Sequence, residues 1–423
     1  MDYRLDKLSN GIRIITVEMP TLESATVTYW VGVGSRYEPK NVSGLSHFLE
    51  HMVFKGSKKR PSAKEISEAI DAIGGEFNAS TSKEWTNFYI KARYGVIETA
   101  FDVLSDMVLN PLLKVEEIEK EKGVILEEMA MYEDTPMAKI EDIFERTIFP
   151  GNPMGRDVIG TRSTVSSILQ KDFVRYRETY YGSNNFVVTV AGGIKRNDVL
   201  KLAEKYLGSM KIKPKKEINR FKSTQKGPKV LLESKKNEQG HLILGFLGKE
   251  RGHEDRFSEA VLDSILGGGM SSRLFIEVRE RRGLAYAVRT SSEHYKETGY
   301  LSTYAGVDLK RIDDAIKVIL EEHYELASGK KPISEKELNK GKEYLKGHLA
   351  LSLEDTKAVD GFFGIQELML GKAETPSDVI AKIDKVTVDD VYALAKKFFK
   401  PERLNLAIIG PYKDSSRFEK LLK

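Results

Sequence analysis

The 423-residue chain contains no cysteine. That excludes a disulfide framework, thiolate metal sites and a cysteine nucleophile. It also has little excess of either charge, since 67 Lys and Arg against 63 Asp and Glu leave a formal net charge of only +4. Recognition of nucleic acid or of an anionic membrane surface calls for a clustered basic surplus, so neither partner is expected. No apolar run approaches the roughly 20 residues needed to cross a bilayer. The N-terminal segment MDYRLDKLSNGIRIITVE is charged from residue 2 and lacks the apolar core of a signal peptide. A cytoplasmic location is the expectation. What is present is ordinary globular composition, 40% hydrophobic and 31% charged, in a chain long enough for two or three domains.

One segment breaks the pattern. Residues 211–229, KIKPKKEINRFKSTQKGPK, are Lys-rich, carry Pro214 and Gly227-Pro228, and show no hydrophobic periodicity. They read as an exposed linker, and the sequence on either side repeats. NNFVVTVAGGIKRNDV (184–199) matches RLNLAIIGPYKDSSRF (403–418), and EEIEKEKGVILEEMAMYEDT (116–135) matches KELNKGKEYLKGHLALSLEDT (336–356). A duplication is the simplest account. The expected organisation is a domain over 1–212, a linker over 213–228 and a homologous domain over 229–423. Strand and helix periods occur in mixed order in each half. The expected fold class is therefore α+β, each domain a mostly antiparallel sheet packed with helices.

The chemistry-bearing segment is GLSHFLEHMVFKGS. On a helix, His47 and His51 lie four residues apart on one face, so both imidazoles can reach one ion, with Glu50 beside it. Catalytic zinc takes three protein ligands and leaves a position for water, whose proton a neighbouring carboxylate can accept. His-x-x-Glu-His is the inverzincin order. A surface ion-pair stripe is the bland alternative, but Leu45, Phe48, Leu49, Met52 and Phe54 give the helix an apolar setting that disfavours idle polar groups. The missing ligand should be an acidic residue on another helix. Glu121, Val124, Ile125 and Glu128 form one partly apolar stripe, which singles out Glu128 as ligand and Glu121 as the carboxylate that orients a histidine. His241, His253, His294 and His323 show no metal spacing and read as structural or surface residues.

With LSNGIRII, VGSRYE, GLSHFLEHMVFKGS and EKGVILEEM in hand, nearly the whole chain resembles the inverzincin zinc peptidases of the pitrilysin, insulin-degrading enzyme and mitochondrial processing peptidase group. Its size resembles the short, two-domain, processing-peptidase-like branch. In that family 76 residues usually separate the second His from the ligand Glu, and 76 separate His51 from Glu128 here. The resemblance implies a zinc-dependent endopeptidase with one Zn2+ per chain, His47, His51 and Glu128 as ligands, and Glu50 as general base. Glu121 matches the second family glutamate. It also implies that Arg279 and Tyr286, seven residues apart in the Gly-rich 266–288 segment, meet substrate across a chamber. EFNASTSKEWTNFYI resembles the edge strand to which substrate adds, with Asn78, Ala79 and Ser80 as candidate contacts. Aligned by the repeat, the His-x-x-Glu-His segment falls on Ala260–Ser264, Glu128 on His348 and Glu121 on Gly341, so the second domain is expected to hold no metal. The expected partners are an unfolded peptide and a second copy of the chain, the C-terminal domain of one copy facing the zinc of the other. The alternative is a non-catalytic or partner-dependent subunit of a processing-peptidase-like complex.

Overall fold

The computed structural model describes residues 1–214 and 218–422. The linker expected at 213–228 includes Lys215, Lys216 and Glu217, which lie outside the described residues. Its described residues carry no helix or strand.

Eleven strands form two sheets among the described residues. The first contains β1 (Arg4–Lys7), β2 (Arg13–Glu18), β3 (Ser24–Val31), β4 (Glu76–Thr81), β5 (Thr86–Arg93) and β6 (Phe186–Gly192), in the order β1-β2-β6-β3-β5-β4. The second contains β7 (Lys229–Ser234), β8 (Gln239–Gly248), β9 (Ala285–His294), β10 (Gly299–Asp308) and β11 (Asn405–Gly410), in the order β7-β11-β8-β10-β9. Leaving β1 aside, the two orders are the same. Each sheet has one parallel pair, β2 with β6 and β7 with β11, and is otherwise antiparallel. The fold class is α+β with two homologous domains. Periodicity follows burial: β6 (FVVTVAG) is covered on both faces and is apolar throughout, whereas β5 buries only Thr86, Phe88, Ile90 and Ala92 at every second position.

The helices of the first half are α1 (Leu45–Val53), α2 (Ala63–Asp71), α3 (Ile97–Leu109), α4 (Val115–Glu133), α5 (Pro136–Ile148), α6 (Arg162–Ser167), α7 (Gln170–Tyr180) and α8 (Arg196–Leu207). Those of the second are α9 (Arg256–Asp263), α10 (Ile312–Ala327), α11 (Glu335–Ser352), α12 (Thr356–Leu370), α13 (Pro376–Asp384), α14 (Val388–Phe398) and α15 (Ser416–Leu421). Helix α2 starts at a Ser62 N-cap: the Ser62 hydroxyl accepts from Glu65 N–H and donates to the Glu65 carboxylate. Helix α9 is α-helical only to Asp263. It continues as a π-helical segment, Ser264–Gly268, that kinks at Gly267.

The two compact units are not the two halves of the chain. One consists of residues 1–130, 156–219 and 350–377, and the other of 131–155, 220–349 and 378–423. Helix α12 belongs to the first unit and lies across β3 and β6, while α5 belongs to the second and lies across β11 and β8. These two helices hold equivalent places in the repeat, so each half lends one helix to the other's sheet. Gly364 permits the close approach of α12, because a Cβ there would sit 2.3 Å from Trp30 Nε1. The contact is also polar: Arg13 pairs with Glu367 at 2.8 Å, and Thr26 Oγ1 bonds Thr356 Oγ1 at 2.9 Å. On α5, Glu145 accepts from the buried Tyr295 hydroxyl at 2.6 Å.

Candidate metal centre

Helix α1 follows the inner strand β3 and buries Leu45, Phe48, Leu49, Met52 and Val53. Phe48 meets Phe173 of α7 edge-on at 4.9 Å. Replacing such a buried Phe by Ala costs about 3–5 kcal/mol, so this face fixes the rotation of the helix. Its start is set by Gly44, whose φ of +96° is open to glycine, and by Glu38. The Glu38 carboxylate accepts from Gly44 N at 2.8 Å and Ser46 N at 2.6 Å, satisfying donors that the first turn leaves free. Burial pushes the Glu38 carboxyl up to about 7 despite those bonds.

With the apolar face inward, the polar face presents His47, Glu50 and His51. Their rings are close, the two imidazole centroids being 4.6 Å apart. The third group comes from α4. Glu128 Oε2 lies 3.7 Å from His47 Nε2 and 3.5 Å from His51 Nε2. Atoms held tetrahedrally about 2.0–2.1 Å from one zinc ion stand about 3.3 Å apart. The observed separations are thus long for hydrogen bonds and near those of shared ligands. Glu128 Oε2 is buried and has no hydrogen-bond partner, as is His47 Nδ1. A buried, unpaired carboxylate oxygen facing two imidazole nitrogens is costly alone and suited to a cation. Among the described residues, His47, His51 and Glu128 are the group of His, Cys, Asp or Glu side chains close enough to hold one metal ion. The donor set fits zinc.

The electrostatics agree. Burial, with His51 nearby, lowers His47 to about 3, which leaves it neutral with a lone pair available to an ion. Burial raises Glu128, partly opposed by His51. Glu121 accepts from His51 Nδ1 at 2.9 Å and pairs through its other oxygen with Lys55 at 2.6 Å. Burial works to raise Glu121, but those two contacts outweigh it and hold the group below the ordinary carboxylate range. The bond to Nδ1 turns His51 Nε2 toward Glu128. Glu50 is raised by burial, an effect that the Thr81 hydroxyl and His51 oppose. Thr81 donates to Glu50 Oε2.

The remaining candidates lie elsewhere. Asn78, Ala79 and Ser80 are on β4, paired with Tyr89, Phe88 and Asn87, and β4 is the end strand of its sheet. Asn78 and Ser80 are exposed, Ala79 is buried, and Asn78 Oδ1 accepts from Ala79 N at 2.8 Å. Arg279 and Tyr286 belong to the second unit. Arg279 lies near the end of a π-helical segment, Phe275–Glu280, with its guanidinium 5.0 Å from the centroid of the Tyr286 ring, and Tyr286 is 76% exposed. The histidines without metal spacing are engaged locally: His241 with the Tyr304 hydroxyl, His294 with Lys249 O, and the buried His323 with Ile319 O.

Three residues at this centre escaped the sequence. Lys55 carries only a weak signal: it stands four residues after His51, but two residues past the end of α1. Glu38 lies six residues before Gly44, a spacing that no capping pattern anticipates. Thr81 becomes visible only when β4 packs on α1.

Residues 13–162 match the family model of the insulinases, peptidase family M16, and residues 167–345 match the peptidase M16 inactive domain. The chain is 39% identical over 403 residues to the uncharacterized zinc protease YmxG of Bacillus subtilis, a match spanning 95% of this chain and 97% of that one. It is 38% identical over 417 residues to the uncharacterized zinc protease SCO5738 of Streptomyces coelicolor, spanning 97% and 90%. A protease from Helicobacter pylori shares the fold, with a TM-score of 0.90 at 24% identity over 96% of this chain and 99% of that one. A duplicated α+β fold, a His-His-Glu cluster and similarity along almost the full length converge: the chain belongs to the M16, or insulinase, peptidase family.

Proposed function

We propose that this protein is a zinc-dependent endopeptidase that cuts unfolded peptides inside a chamber completed by a second copy of the chain. The observation that carries the reading is the buried, unpaired Glu128 Oε2 facing two imidazole nitrogens at 3.5 and 3.7 Å, with Glu50 on the same helix. The naming of its relatives as zinc proteases supports it.

His47, His51 and Glu128 would hold one zinc ion, which when bound acidifies a water and polarises the scissile carbonyl. Glu50 takes the proton of that attacking water and passes it to the leaving amine. Burial has raised its proton affinity toward what such a shuttle needs, while the Thr81 hydroxyl fixes one of its oxygens. Glu121 and Lys55 keep the His51 ring in place. The free edge of β4 at Asn78–Ser80 takes the substrate as an added strand, through main-chain hydrogen bonds that only an extended peptide can offer. Arg279 and Tyr286 of one copy serve the metal site of the other, Tyr286 donating to the oxyanion and Arg279 to a substrate carbonyl. The exposure of Tyr286 supports that use. One zinc per chain follows from the second unit, where Ala260, Ser264 and His348 stand in place of the ligands. The cytoplasm is the compartment this reading assigns, and cell fractionation checks it.

The test is digestion of a mixed library of unstructured peptides, read by mass spectrometry, with and without chelator and zinc restoration, and with Glu50→Gln in parallel. Chelator-sensitive cleavage that is absent in the variant is the expected result. Bound zinc without cleavage would shift the reading to a subunit that needs a different partner chain. Neither zinc nor cleavage would leave a non-catalytic subunit.

A further inference from the structure

We infer that Thr81 is a positioning residue that ties the substrate edge strand to the catalytic base. This inference rests on the peptidase reading above. Side chains alternate along β4, so Phe77, Ala79 and Thr81 share one face and Asn78 and Ser80 the other. The first face packs on α1: Phe77 meets Phe54, just past the end of that helix, at 5.5 Å between ring centroids, Ala79 is buried, and the Thr81 hydroxyl donates to Glu50 Oε2. The same short strand thus offers its free edge at one side and holds the base through its last residue.

The end of β4 is itself anchored. Thr81 pairs with Thr86, and the turn between them closes with Ser82 N bonded to Trp85 O at 2.8 Å. The turn is held against the segment before α1: Ser35 N donates to Ser82 O at 3.1 Å, and Arg36 N to Lys83 O at 3.0 Å. Arg36 and Glu84 form a fully buried ion pair beneath it. A Cβ at Gly34 would lie 2.2 Å from Ser82 O, so the two segments are in backbone contact. Thr81 therefore has little freedom, and its one donor fixes the rotamer of Glu50 while the other carboxylate oxygen is left for proton transfer. A peptide that adds to β4 is registered on the same backbone that places the base.

Removing a hydrogen bond to a charged group while keeping the side-chain shape is the cleanest probe. Thr81→Val should lower kcat about tenfold to hundredfold, with KM within about twofold and zinc content per chain unchanged. Thr81→Ser, which keeps the donor, should restore most of kcat. In a Glu50→Gln background Thr81→Val should add no further loss, because the two side chains act as a unit. Unchanged kcat in Thr81→Val, a change in KM alone, or failure of Ser to restore would each overturn the inference. If the valine variant does not fold, Thr81→Ala is read against Thr81→Ser in the same way. Should the wild type cleave no peptide while binding zinc, the peptidase reading fails first. Should the wild type cleave and Glu50→Gln not, with Thr81→Val at full rate, only the role of Thr81 fails.

Discussion

The molecule builds one arrangement twice and equips it differently. In the first unit, α1 follows β3, and α4 brings Glu121 and Glu128 against its polar face. In the second, α9 follows β8, and α11 is the matching helix. Where His51 meets Glu121 at 2.9 Å, Ser264 Oγ donates to Gly341 O at 3.2 Å. Where Glu128 points at two imidazoles, His348 is tied to its own helix through Nδ1 and Tyr344 O at 2.9 Å. Asp263 stands in the place of Glu50. One turn earlier, Glu259 is fully buried. The difference teaches what the metal centre requires beyond the fold. The same backbone contact survives with a serine and a glycine, but three convergent donors do not arise from the scaffold alone.

The largest effect should come from the residues that only the first unit has. Glu50→Gln is expected to reduce kcat by about 10²–10⁴-fold with zinc still bound, whereas its counterpart Asp263→Asn should leave kcat within about twofold. Parallel steady-state kinetics and metal analysis decide this. A comparable loss in Asp263→Asn would break the comparison by giving the second unit a part in the chemistry.

Next in size are the groups behind His51. Glu121→Ala should weaken zinc binding about 10- to 100-fold, measured by competition with a calibrated chelator. Lys55→Met should weaken it by about tenfold or less, because Glu121 keeps its bond to His51. A larger effect from Lys55 than from Glu121 would show that the lysine, and not the carboxylate, sets the ring.

The smallest effect is on stability and belongs to the second unit. Burial, reinforced by Asp263, raises Glu259 from 4.5 to about 8, and burial raises Asp263 as well. The folded state holds these protons at a pH where the unfolded chain has released them. Stability therefore falls as pH rises from about 4.5 to about 8. Glu259→Gln should flatten that decline without changing zinc content, as followed by denaturant unfolding between pH 5 and 8 (a range set by the two proton affinities). An unchanged slope would mean that the pair is not the source.

Much of this was written locally. A helix puts residues four apart on one face whatever surrounds it, so His47, Glu50 and His51 could be read from spacing. The partly apolar stripe of α4 pointed to Glu128, and the repeat indicated two sheets of like order. These are properties of single elements, fixed by backbone geometry and by which side chains avoid water.

What the tertiary structure decided is of another kind. The exchange of α5 and α12 between the two halves of the chain cannot be read from either helix, because both sheets offer similar apolar faces and only full packing selects between them. Glu38 at the start of α1, Lys55 on Glu121 and Thr81 on Glu50 depend on how separate segments meet, to within the few tenths of an ångström that a hydrogen bond tolerates. The raised Glu50 and the lowered His47 are likewise consequences of burial. The sequence by itself determined which residues could bind an ion and move a proton. The fold decided which neighbours hold them in position, because desolvation and hydrogen-bond geometry exist only once distant segments are packed together.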